Sequence, residues 1–306
     1  MQQHTIEKAV SCTGIGLHSG RRVSLRLNPA AEDTGVVFAV NTGDGARFLN
    51  LHPDAVQGTG LATTLGQGDV RVATVEHLMA AIRAMGIDNI LVEVDGGEVP
   101  IMDGSAASFV MLLRDAGLRQ QRKPQKIWAV KRRVSVEEDG RWIVGEPFPG
   151  FCVDYTIDFD HPLVGVQTRR FHLAPEDFER SVARARTFGF LHEVEKLQKH
   201  NLALGGSLDN AIVLDEYGVV NPEGLRFVDE FVRHKILDFV GDMALLDGQL
   251  WGKFTVHCSG HALNNAFLRH IYENRAQCLE RWEAKPQTEQ RLPGREWLGQ
   301  EVPADM

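Results

Sequence analysis

Cysteine is scarce in this chain of 306 residues. Cys12, Cys152, Cys258 and Cys278 stand far apart, with no CxxC pair. Such spacing argues against a disulfide framework and fits a reducing compartment, with the four read as ordinary thiols. An excess of cations is missing too: 33 Lys and Arg against 41 Asp and Glu leave a formal charge of -8. A duplex-binding protein gathers a basic face, so a nucleic-acid partner is excluded, and any anionic ligand must be met by a few local cations. No run of about 18 apolar residues occurs. The opening MQQHTIEKAVSC has no cationic segment followed by an apolar one, so neither a membrane span nor an export leader is expected and the place of work is cytoplasmic. What is present is ordinary for a globular chain, 43% hydrophobic and 24% charged, which excludes disorder and fibrous classes.

A chain of this length suits two domains of about 100–150 residues. The alternating runs Val23–Leu27 and Val36–Val40 read as strands. Thr74 offers an N-cap to a helix carried by Val75, Leu78, Met79 and Ile82 and stopped by Gly86. Ile90–Val94 is a buried strand, and Ser105 caps a second helix running through Phe109, Leu112 and Leu113 to Gly117. Residues 120–126 are polar, contain Pro124 and have no apolar period, so they read as a linker. Strands are then expected at 127–134, 142–146, 151–159 and 249–257. Helices are expected at 175–185, about 222–246 and 262–282, with a loose tail from Lys285. The class is α+β: two similar domains, 1–121 and 127–282, each a sheet with packed helices and without a residue-level repeat.

Two segments imitate known motifs. Gly14-Ile15-Gly16-Leu17-His18-Ser19-Gly20 has the wrong glycine spacing for a dinucleotide fingerprint and leads into a strand. His192-Glu193-Val194-Glu195-Lys196 puts Lys where a zincin helix needs its second His.

His234, Asp238 and Asp242 are better placed. At about 100° per residue they drift by only some 40° per step and form one stripe on a helix. The apolar residues Val232, Ile236, Phe239 and Met243 lie on the opposite side, while Phe231 and Leu245 flank the polar stripe, so this face is expected to be buried. Buried His and Asp need a cation or each other. A plain helix-surface His/Asp pair has the same spacing. A catalytic zinc takes three protein ligands and leaves a position for water, and His77 is a candidate third, with Glu76 beside it as a base. Glu76-His77 equally suits a helix start where the dipole favours Glu. His261, after a strand, is either a proton donor to a leaving amine or a structural His.

Together the segments Thr74-Val75-Glu76-His77-Leu78, Pro100-Ile101-Met102-Asp103-Gly104-Ser105-Ala106, Arg184-Ala185-Arg186-Thr187-Phe188-Gly189-Phe190, Arg233-His234-Lys235-Ile236-Leu237-Asp238 and Ser259-Gly260-His261-Ala262-Leu263-Asn264-Asn265 closely resemble the UDP-3-O-acyl-N-acetylglucosamine deacetylases of lipid A biosynthesis. The likeness runs in order over about residues 2–282. It implies helix layers facing one another between two sheets, and one zinc ion on His77, His234 and Asp238. It also implies Glu76 as general base, His261 as general acid supported by Asp242, and Thr187 stabilising the oxyanion. The implied substrate, UDP-3-O-acyl-N-acetylglucosamine, would meet Lys235 and His18 at its diphosphate and sugar end. Arg141, Asp158 and Phe159 would hold the nucleotide, with Phe159 stacking on uracil. Phe188 would line the substrate site. An insert at about 190–213, with Leu191, Val194, Gly206, Ser207, Ala211 and Val213, would pass the acyl chain. The bland readings are solvated cations, a turn carboxylate, a core aromatic and plain turns.

Two positions depart from the family pattern: Cys258 stands where some members have Lys, and Ala62 where some have Cys. The alternatives are a zinc amidohydrolase on another acylated sugar nucleotide and a non-catalytic sugar-nucleotide binder. A monomer is expected.

Overall fold

The computed structural model describes residues 1–41 and 45–282. The chain opens with β1 (Gln2–Ile6), β2 (Val10–Ile15), β3 (Arg22–Pro29), β4 (Val36–Asn41) and β5 (Ala46–Asn50). After a single 3₁₀ turn come β6 (Val56–Gly58), β7 (Thr64–Gln67), β8 (Val70–Val72), α1 (Glu76–Ala84), β9 (Ile90–Asp95), α2 (Ala107–Ala116) and β10 (Leu118–Pro124). A sheet ordered β2-β3-β9-β4-β5 is antiparallel except where β4 runs parallel to β9. β3 alternates buried Val23, Leu25 and Leu27 with exposed Arg22, Ser24 and Arg26, so only one face is apolar, and α1 and α2 cover it.

The second half has β11 (Ile127–Val130), β12 (Val134–Glu138), β13 (Arg141–Glu146), β14 (Phe151–Phe159), β15 (Gly165–His172), α3 (Pro175–Ser181), β16 (Phe188–Phe190), α4 (Leu191–Lys199) and β17 (Ile212–Leu214). It ends with α5 (Glu230–Met243), β18 (Gln249–His257), α6 (His261–Glu273), α7 (Arg275–Cys278) and β19 (Leu279–Arg281). β18 is the hub of a seven-stranded mixed sheet, parallel to β11 and β14 and antiparallel to β13. α5 packs on β14 and β15, and α6 on β12 and β13. α1 and α5 then pack on each other, which puts two helix layers between two sheets, the expected α+β arrangement. This double burial explains why 12 of the 14 residues of α5 are buried, the polar His234, Asp238 and Asp242 among them.

Several local expectations need correction. The stretch taken for a linker is β10, paired antiparallel with β1; its side chains are mostly exposed, so it has no apolar period to betray it. Thr74 does not cap α1; its backbone is left-handed (φ 59°) and its hydroxyl donates to Glu98. Ser105 does accept from the Ala107 N–H at 3.2 Å, just ahead of α2. The long helix begins at Glu230 rather than 222, because Pro222–Asp229 is taken up in turns. The last helix stops at Glu273, and 275–281 divides into α7 and β19. β15, with only Val166 and Phe171 as apolar side chains and the adjacent Arg169 and Arg170, was not expected at all. The tail at 285–306 lies outside the described residues. All four cysteines are free thiols, and no described helix is long and apolar enough to cross a membrane.

Candidate active site

The first turn of α1 meets the middle of α5, and there His77, His234 and Asp238 converge. One ligand-type atom from each lies within 4.8 Å of the others, and all three residues are buried. The Asp238 Oδ1 atom is 3.6 Å from His77 Nε2 and 3.3 Å from His234 Nε2. It has no hydrogen-bond partner, whereas Oδ2 accepts from Lys235 Nζ at 2.8 Å. A buried carboxylate oxygen left open between two imidazole nitrogens costs free energy unless a cation joins the three.

The protonation states agree with that reading. Burial, against the pull of Asp238, pushes the His234 imidazole down to about 4. It is therefore neutral, and its Nδ1 faces the Ala185 carbonyl at 3.1 Å, which fixes the proton there and turns the Nε2 lone pair inward. Burial disfavours the Asp238 charge, but His234, Lys235 and His77 hold the carboxyl well below its usual range. Two imidazoles, that of His234 neutral, and one carboxylate form a donor set suited to a catalytic zinc with an open position.

Beside this cluster lie two groups for moving protons. Glu76, at the start of α1, is buried and accepts from the Thr63 N–H at 3.1 Å; burial raises its pKa. His261 opens α6, and its Nε2 is 3.9 Å from Glu76 Oε1. Its Nδ1 is 2.8 Å from Asp242 Oδ2, which also accepts from the Asn264 amide at 2.8 Å. Burial alone would depress this imidazole, yet the Asp242 carboxylate, with Glu76 and Asp238 beyond, pushes it up to about 9. The site therefore holds a carboxylate that can take a proton and an imidazolium that can give one.

A cavity of about 490 Å³ opens over these groups. His234, Asp238, Lys235 and His261 reach its floor, Thr187 and Phe188 one wall, and Arg141, Asp158 and Phe159 another. The parallel pairing of β14 and β18 brings Asp158 and Phe159 to the end of the sheet where the chain turns into α6. Phe159 meets Phe188 edge-on at 5.6 Å, and Phe188 meets Phe231 at 5.0 Å.

The profile of the UDP-3-O-acyl N-acetylglycosamine deacetylase family matches residues 3–273. The chain belongs to this family. It is 60% identical over 283 residues to the UDP-3-O-acyl-N-acetylglucosamine deacetylase of Oleidesulfovibrio alaskensis, covering 92% of this chain and 93% of that one. It is 59% identical over 280 residues to that of Nitratidesulfovibrio vulgaris, covering 92% and 91%. The enzyme of the same name from Haemophilus influenzae is 46% identical over 287 residues, 92% of each chain.

Not every residue expected of a deacetylase site of this family lines the cavity. His18, Leu191, Val194, Gly206, Ser207, Ala211 and Val213 stand outside its wall, and Glu76, His77 and Asp242 lie behind the residues that form it. The two nitrogens of the His18 ring are buried without partners, and its carbonyl accepts from the Leu204 N–H of the insert at 3.3 Å. Ser207 and Ala211 form one turn, with Ala211 N–H donating to the Ser207 carbonyl, and Val213 N–H donates to Asn221 Oδ1. Phe190 and Glu193, which fall in the expected insert but were not singled out, do line the cavity. Thr63 and Asn264 were also missed as site residues. A lone threonine in a Gly/Thr-rich stretch has no spacing signal, and Asn264 sits one turn beyond His261 with nothing to mark it as facing Asp242. Cys258 lies in the cavity wall and Ala62 is buried.

Proposed function

We propose that this chain is a zinc-dependent hydrolase that removes the N-acetyl group from UDP-3-O-acyl-N-acetylglucosamine, giving acetate and the free 2-amino sugar nucleotide, the committed step of lipid A biosynthesis. The observation that carries the reading is the open Asp238 Oδ1 between two imidazoles, with Glu76 and His261 alongside.

His77, His234 and Asp238 would hold one zinc ion. When bound, it would polarise the acetamide carbonyl and acidify the attacking water. Glu76, its proton affinity raised by burial, takes a proton from that water. Thr187, at the cavity wall, offers its hydroxyl to the oxyanion that develops on the carbonyl oxygen. His261, held protonated by Asp242, gives its proton to the departing amine.

The cavity chemistry supports the sugar-nucleotide part of the reading. Lys235 and Arg141 are its cations, suited to a diphosphate, and Phe159 offers a ring face to uracil. Cys258 removes one cation that some family members carry. The segment 190–213 is assigned to the acyl chain, with His18 at its border. The units 1–121 and 127–282 each contribute to the reaction as one domain, and the enzyme works as a cytoplasmic monomer.

Purified protein assayed for acetate release from UDP-3-O-acyl-N-acetylglucosamine, with and without a chelator and then with zinc added back, tests the whole. Loss and recovery of turnover is expected, and unchanged turnover in metal-free protein would overturn the mechanism. If another acylated sugar nucleotide is turned over faster, the substrate assignment falls while the chemistry stands.

A further inference from the structure

Thr63 touches both proton-transfer groups at once. It lies between β6 and β7, in the first half of the chain, and its backbone brackets the start of α1. Its N–H donates to Glu76 Oε2 at 3.1 Å, and its carbonyl accepts from the Val75 N–H at 3.3 Å. Its hydroxyl points across to the second half and donates to Asp242 Oδ1 at 2.6 Å, with His261 Nδ1 3.3 Å away. The residue is 1% exposed, so water does not supply a substitute for these bonds.

Asp242 thereby has every neighbour fixed. Oδ1 accepts from Thr63, and Oδ2 faces His261 Nδ1 and accepts from Asn264, whose own Oδ1 accepts from Ser259 Oγ at 2.6 Å. A carboxylate with a donor on each oxygen cannot rotate freely, so it holds the imidazole Nδ1–H and points Nε2 at the substrate. Without the Thr63 hydroxyl, one oxygen is left buried and unpaired, and the carboxylate is free to turn away from His261.

We infer that Thr63 is a positioning residue for this reaction, clamping the base Glu76 through its backbone and the acid His261 through Asp242. The inference rests on the functional reading given above. It also explains how residues from the two halves keep their spacing: acceptor and donor are tied to one threonine rather than to two independent loops.

Substitution separates the hydroxyl from the backbone contacts, which any residue retains. T63V replaces the hydroxyl by a methyl of similar size, T63A removes it with less crowding, and T63S keeps it. In T63V and T63A, kcat is expected to fall at least tenfold while KM stays within about twofold, with zinc content still one per chain. T63S is expected to recover kcat to within about threefold of the parent. The inference is overturned if either hydroxyl-free variant keeps kcat within twofold, or if T63S is as slow as T63V. Absence of acetate release by the parent protein would be a failure of the functional reading, which the same assay shows separately.

Discussion

Gly241 on α5 crosses Glu76 on α1 so closely that a Cβ on Gly241 would lie 2.0 Å from the Glu76 carbonyl oxygen. That oxygen is backbone and cannot rotate aside. Gly241→Ala must therefore push the helices apart, an overpacking that costs about 1–3 kcal/mol or more. Because the same crossing brings His77 to Asp238, zinc affinity should fall together with the melting temperature. A variant as stable as the parent and fully loaded with zinc would mean that the crossing is softer than this geometry.

The imidazole of His261 is the group whose pH response the structure sets most directly. The charged groups facing it are Asp242 and Asp238 from α5 and Glu76 from α1, all of them acids. In metal-free protein, NMR should find it titrating near 9, and Asp242→Asn should lower that value by a unit or more. Since the folded value is raised, the protonated ring contributes stability that is complete below its ordinary value of about 6.5. That contribution is lost as pH rises through 9. Titration of the parent near 6.5 would refute this account of the Asp242 pair.

A second buried charge pair holds the wall of the site. Arg186, 1% exposed, donates through Nε to Glu230 Oε1 at 2.9 Å and through Nη1 to Glu223 at 2.7 Å, while its own N–H also donates to Glu230. Thr187 follows directly in the chain, so the pair fixes that hydroxyl against the start of α5. Glu230→Ala removes the buried carboxylate from Arg186 Nε and leaves the guanidinium only Glu223 and the Gly224 carbonyl, which should cost about 3–5 kcal/mol in chemical denaturation. Turnover should fall in the fraction that remains folded. A loss below about 1 kcal/mol would mean that water reaches Arg186 freely.

How much of this was legible in the sequence differs by element. The His234/Asp238/Asp242 stripe could be seen because helical spacing is local, and the flanking Phe231 and Leu245 hinted correctly that its polar face is buried. His77 and His261 could not be joined to it by spacing, since their contacts with α5 depend on how two halves pack; the resemblance supplied them. β10 escaped because its stability comes from backbone pairing with β1 rather than from an apolar face. Thr63 escaped for a related reason: it acts through a backbone N–H and one hydroxyl, and neither leaves a pattern.

The division of labour between metal and proton donor separates two substitutions. Asp238→Ala removes the oxygen placed between His77 and His234, leaving Lys235 without its partner, so bound zinc should be lost by elemental analysis and turnover with it. His261→Ala leaves all three metal-type ligands in place. It should keep one zinc per chain while turnover falls about 10²–10⁴-fold, the range for losing a positioned acid. Zinc retained by the Asp238 variant would remove that carboxylate from the metal site. Near-normal turnover by the His261 variant would require the amine to take its proton from elsewhere, and Glu76, 3.9 Å from the imidazole, would be the group left to supply it.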